Sequence, residues 1–90
     1  MRQLAFKSTF KKDLKRMSKR GVALVKLERV LTDLQNDKDL PARNRAHMLS
    51  GEWRGFMECH IESDWLLIYD MREIDSVTLH RTGTHSDLFE

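Results

Sequence analysis

The sequence is poor in the residues that staple or anchor a chain. It has one cysteine, Cys59, one proline, Pro41, and no repeat or low-complexity run. A single cysteine excludes an intramolecular disulfide and fits a reducing compartment. No apolar stretch is long enough to span a membrane. The start, MRQLAFKSTFKKDLKRM, lacks the continuous apolar core of a secretory signal, so a cytoplasmic location is expected. C-x-x-C and H-x-x-x-H spacings are missing, which argues against a zinc site, and there is no glycine-rich phosphate loop. No cofactor is expected. What is present is 90 residues, 40% hydrophobic and 33% charged. That is the composition of one folded domain, residues 1–90, burying roughly 60–65% of its unfolded surface.

Charge is unevenly spread. Residues 1–20 carry eight basic side chains against the single acid Asp13, a net +7; the whole chain carries +2, so the remainder carries −5. A basic end suggests an anionic partner, although on charge alone a solvated helix face is the better account.

Residues 2–6, RQLAF, read as a short strand. Ser8 or Thr9 is placed to cap a helix in which Phe10, Leu14 and Met17 share one face. Lys11, Lys12, Lys15, Arg16 and Lys19 fill the rest of that cylinder as a basic ridge. After Gly21, residues 22–36 form a second helix with an apolar face of Ala23, Leu24, Leu27, Val30, Leu31 and Leu34. Residues 37–52 read as a loop anchored by Leu40, Met48 and Leu49. Residues 54–61 alternate, with Gly55, Met57, Cys59 and Ile61 toward the helices and Arg54, Phe56, Glu58 and His60 outward. Glu62-Ser63 is the expected turn. WLLIYD, residues 65–70, is apolar on both faces, as a central strand is. Residues 76–82 alternate again, Val77, Leu79 and Arg81 against Ser76, Thr78, His80 and Thr82, and His85 to Phe89 form a tail or one helical turn. The order β-α-α-β-β-β predicts an α+β fold: an antiparallel-rich sheet with a helical hairpin on one face. The first strand is expected at an edge or beside the last.

His47, His60 and His85, with Asp64 four residues after His60, are the candidate catalytic set. Imidazole exchanges protons near neutral pH. Cleaving RNA without a metal requires such groups. The 2′-hydroxyl loses a proton as it attacks phosphorus, the leaving 5′-oxygen gains one, and the phosphorane needs donors. Taken singly, each histidine is more simply a surface or capping residue, Asp64 a turn-closing residue, and Trp53, Trp65, Phe56 and Tyr69 core. His80 is given no chemical role.

The stretch HMLSGEWRGFMECHIESDWLLIY followed by RTGTHSDLF resembles the YafQ branch of the RelE/ParE superfamily of bacterial toxins. That pattern is a histidine before L-x-G-x-W-x-G, then H-x-E-x-D-W-x-L-x-Y, then R-T-G-T-H-x-x-L-F. It is met at His47, Leu49, Gly51, Trp53, Gly55, His60, Glu62, Asp64, Trp65, Leu67, Tyr69, Arg81, Thr82, Gly83, Thr84, His85, Leu88 and Phe89. The resemblance implies the RelE, microbial-RNase-like fold and the toxin of a type II toxin–antitoxin pair, a metal-independent, ribosome-dependent mRNA endonuclease. It implies His85 as general acid, Asp64 as base, and His47 and His60 as transition-state donors, with Trp65 and Phe89 near the message. Phosphate contacts would come from Arg54, Arg81 or the basic ridge, the ridge meeting ribosomal RNA in the 30S A site. The implied partner is a DinJ-type antitoxin, through which alone the toxin would meet DNA. Two other readings of the same fold are a ParE-like gyrase poison, which needs no histidine cluster, and a non-catalytic relic that only binds antitoxin.

Overall fold

The computed structural model describes residues 1–90. In chain order it has β1 (Gln3–Phe6), α1 (Ser8–Lys19), α2 (Leu24–Gln35), β2 (His47–Met48), β3 (Met57–Glu62), β4 (Trp65–Asp70), β5 (Ser76–Gly83) and α3 (His85–Phe89). Short 3₁₀ turns occupy Ala42–Asn44 and Gly51–Trp53. One sheet runs β1-β5-β4-β3-β2. β1 pairs with β5 in parallel and every other pairing is antiparallel. The α+β order expected from the sequence holds, with one addition: β2 pairs with β3 through only two residues.

One layer of core lies between the helices and the sheet. Phe10 and Met17 from α1 and Leu27, Val30 and Leu34 from α2 meet Cys59, Ile61, Leu67, Tyr69, Val77 and Leu79. The helix periodicity and the strand alternation thus converge on the same face. Leu24, in contrast, is exposed, and Met48, expected to anchor the loop, is 67% exposed. Cys59 is fully buried, and desolvation pushes its thiol up to about 12, so it is an inert core residue. No helix is long and apolar enough to cross a membrane.

A β-bulge decides what β5 presents. Tyr69 pairs with Leu79 but Ile68 pairs with Arg81, so His80 is the extra residue. Past the bulge the alternation reverses and Thr82 turns into the core. There its hydroxyl donates to the Leu66 carbonyl and accepts the Trp65 indole N–H at 2.8 Å. Trp65 is 2% exposed and packs with the helix-side core.

The edge of β5 beyond β1 is completed by α1. The Lys7 amide donates to the Leu79 carbonyl, the Thr9 hydroxyl to the His80 carbonyl, and the Thr82 amide to the Asp13 carboxylate. Thr9 therefore serves β5 rather than capping its own helix. Lys7 stands at the N-cap without a side-chain bond, so neither Ser8 nor Thr9 is the cap. Asp13 is buried, and it also binds Arg81 through two hydrogen bonds and Arg16 through one.

Candidate active site

The β3–β4 hairpin and the end of β5 set up two rows across the sheet. In one, His60, Leu66 and Gly83 are cross-strand neighbours; in the next, His47, Glu58, Ile68 and Arg81 are. Leu66, not Trp65, stands opposite His60. Side chains alternate along a strand, so His60 and Glu58 share the face away from the helices. Gly83 lies two strands from His60, about 10 Å at ordinary sheet spacing. The chain then turns at Thr84 and begins α3 with His85.

Ser63 and Asp64, rather than Glu62 and Ser63, form the hairpin turn. One Asp64 carboxylate oxygen accepts the His85 backbone N–H at 3.1 Å. This contact ties the tail bearing His85 to the turn that follows His60. The tail is also fixed from within. Thr84 and Asp87 make a reciprocal capping box, and Asp87 takes both ends of the Arg20 guanidinium at 2.6 and 3.1 Å. A Cβ at Gly83 would come within 3.0 Å of the Asp87 side chain, so the tail packs tightly only over glycine. Phe89 lies against His85, ring centroids 5.1 Å apart and planes tilted by 43°, and remains 38% exposed.

The Asp87 carboxyl is held well below the ordinary carboxylate range, first by Arg20 and then by the Thr84 amide. A carboxylate depressed in the folded state contributes fully above its unfolded value, about 4, and loses that contribution as pH falls toward the folded one. The Asp87 carboxyl carbon resonance should therefore hold its ionised position from pH 7 to about 4 and move only in stronger acid. Arg20→Gln should shift the amide resonances of residues 84–89 at neutral pH. Unchanged tail resonances in Arg20→Gln would show that the ion pair does not hold the tail.

The two internal histidines differ in their hydrogen bonding. His47 is exposed; its Nδ1 faces the Arg45 carbonyl at 2.8 Å and its Nε2 the Glu58 carboxylate at 3.2 Å. Both partners are acceptors, so both bonds form only when the ring carries two protons. Glu58 is 7% exposed and has no other cation near it among the ion pairs. His60 is half-buried, with Nδ1 against the Ser63 carbonyl at 3.3 Å. In the neutral ring Nδ1 is then the donor and Nε2 keeps a free lone pair.

Of the residues expected to meet RNA, two are placed otherwise. Trp65 is a core residue, and its ring has no free face for a base. Arg81 is locked onto Asp13 at 2.6 Å, an ion pair that raises its already high pKa. Arg54 is exposed and unpaired, as are Lys11, Lys12, Lys15 and Lys19 on α1, while Arg16 is exposed but bound to Asp13. His80 lies outside the cluster, edge-on to Phe56 at 4.6 Å, with Arg72 also over the Phe56 ring. Desolvation, then Lys7, lowers its pKa and favours the neutral ring. No three His, Cys, Asp or Glu side chains come together in a way that could hold a metal.

Sequence reasoning missed Glu58, Asn44, Arg20 and Asp87. Glu58 already alternated with His60 on the outward face; its role needed the pairing of β2. The other three act across long sequence separations and leave no local pattern.

The comparisons with known proteins cover essentially the whole chain. Residues 2–90 match the model of a family described as the bacterial toxin of a type II toxin–antitoxin system, YafQ. The chain is 37% identical over 89 residues to the mRNA interferase toxin YafQ of Escherichia coli strain K12, covering 98% of this chain and 96% of that one. Its fold superposes on a copper-bound point mutant of a toxin from Helicobacter pylori with a TM-score of 0.94, at 35% identity, covering 99% of this chain and 100% of that one. It superposes on the E. coli DinJ–YafQ complex with a TM-score of 0.89, at 36% identity, covering 100% of both chains. The family match from end to end and the shared fold agree with the histidine and R-T-G-T-H motifs: this chain belongs to the YafQ family of type II toxin–antitoxin toxins.

Proposed function

We infer that this toxin is an mRNA endonuclease that cuts message on the translating ribosome and is held inactive by a DinJ-type antitoxin. The observation that carries the reading is the Asp64–His85 contact, which gathers a carboxylate and an imidazole-bearing residue at the turn beside His60. The E. coli relative is named an mRNA interferase, and E. coli YafQ is solved in complex with DinJ.

Asp64 is exposed, and with one oxygen on the His85 amide it retains the other to accept the 2′-hydroxyl proton. His85, exposed on α3, donates to the leaving 5′-oxygen. His47, with both nitrogens aimed at acceptors, supplies positive charge as the phosphorane forms. His60 supports the same charge. A second assignment of the base has its own support, since the neutral His60 ring leaves Nε2 as an acceptor. The two are separated by pH–rate profiles: Asp64→Asn removes the acid limb if Asp64 is the base, and His60→Gln removes it if His60 is. In either assignment the protons are carried by side chains throughout.

The test is primer extension on one message with and without ribosomes. Cuts within translated codons that vanish without ribosomes are expected. Intact message alongside a DNA-damage response would point instead to gyrase, and intact message with antitoxin binding alone to a non-catalytic toxin.

A further inference from the structure

Five of the nine arginines are engaged in ion pairs: Arg2, Arg16, Arg20, Arg72 and Arg81. Three of the other four, Arg29, Arg43 and Arg45, line a single groove of about 600 Å³ between α2, the Ala42–Asn44 turn and the end of β3. Lys26 also lines it, but is neutralised by Glu62 at 2.7 Å. Asp33 is the one other acid on the lining, and it pairs with none of these arginines. The groove is therefore positive where its guanidinium groups are free.

The same wall serves the histidines. His60 lines the groove, and buried Asn44 donates its side-chain amide to the His60 carbonyl at 2.7 Å. Arg45 adopts φ 48°, left-handed backbone that is uncommon for a residue with a Cβ. That bend belongs to the stretch that offers the Arg45 carbonyl to His47 Nδ1. Arg43, Asn44 and Arg45 thus join the groove to the His60 backbone and to the His47 ring within three consecutive residues.

We propose that this groove holds the RNA backbone beside the scissile phosphate, with Arg29, Arg43 and Arg45 as phosphate-binding residues. The proposal rests on the nuclease reading and names where the substrate strand runs. Guanidinium forks suit phosphate oxygens bidentately, and such contacts fix a strand in position without choosing its sequence. With Arg81 committed to Asp13, these residues take over the phosphate-binding task expected of it. Continuity with His60 favours nucleic acid over an acidic segment of the antitoxin, which would need no link to the catalytic rim.

The probe is a single-stranded 2′-O-methyl RNA, which cannot be cut by 2′-oxygen attack, titrated at several salt concentrations against the wild-type toxin and Arg29→Gln/Arg43→Gln/Arg45→Gln. All three side chains are exposed, so the fold should survive, as a thermal melt checks. The triple variant should bind at least about ten-fold more weakly. The slope of log affinity against log salt should shrink by about 0.7 for each phosphate that the variant no longer neutralises. On programmed ribosomes KM should rise more than kcat falls, and lysine at the three positions should restore part of the loss. Equal affinity and slope in wild type and variant would overturn the proposal, as would a wild-type toxin that fails to bind the RNA in low salt. So would a variant that loses antitoxin affinity while keeping RNA affinity, which would assign the groove to the antitoxin. A wild-type toxin that binds this RNA through the groove yet never cuts message would uphold the groove and overturn the nuclease reading alone.

Discussion

His85→Ala should lower message cleavage by about 10²–10⁴-fold while leaving the melting temperature and antitoxin binding essentially unchanged. The separation follows from how the tail is built. Its attachments are the His85 backbone N–H to Asp64, the Thr84–Asp87 capping box and the Arg20–Asp87 ion pair. None of them uses the imidazole. The ring itself is exposed and lies tilted against Phe89, so its removal deletes a proton donor and little packing. Without that donor the 5′-oxygen leaves as an alkoxide, the costly step that a general acid avoids. Single-turnover cleavage on programmed ribosomes is the measurement. Cleavage within a few-fold of wild type would remove His85 from the chemistry.

Asp13→Ala should cost about 3–5 kcal/mol of stability, as much as emptying a core position. Asp13 is 5% exposed and accepts four hydrogen bonds, two from Arg81 and one each from Arg16 and the Thr82 amide. Alanine strands the partly buried Arg81 cation and leaves a buried backbone N–H without a partner. For a domain of this size each kcal/mol moves the midpoint by roughly 4–8 °C, so a fall of at least ~12 °C is expected. Asp13→Asn keeps an acceptor for Thr82 and should lose less. A denaturant titration of the three proteins checks the order. A loss under about 1 kcal/mol for alanine would mean that the pair is replaced by solvent at little cost.

Periodicity made most of this fold readable, and its failures have specific causes. α2 announces itself through Leu27, Val30 and Leu34, and β3 through the alternation that turns Cys59 inward. β4 has no alternation to read, because a strand covered on both faces is apolar throughout. Trp65 therefore carries no sign of which side it takes. β2 is too short for any period. The bulge at His80 is the most consequential hidden feature: one extra residue reverses the facing of Thr82 and leaves Arg81 to Asp13. Asp13 itself reads as a lone acid on a basic helix, and only the bare edge of β5 explains its burial. The histidines were legible as a motif. The two partners of His47 were not: Glu58 comes with the pairing of β2 to β3, and the Arg45 carbonyl with the left-handed bend at Arg45.

If side chains move the protons and the message's own 2′-oxygen is the nucleophile, the new RNA ends must record it. Message cut by the wild-type toxin on programmed ribosomes should carry a 2′,3′-cyclic phosphate on the upstream fragment and a 5′-hydroxyl on the downstream one. Mass spectrometry of the two fragments is the measurement. Downstream fragments bearing a 5′-phosphate would mean that water, not the 2′-oxygen, attacks, and would contradict the proposed chemistry at its root.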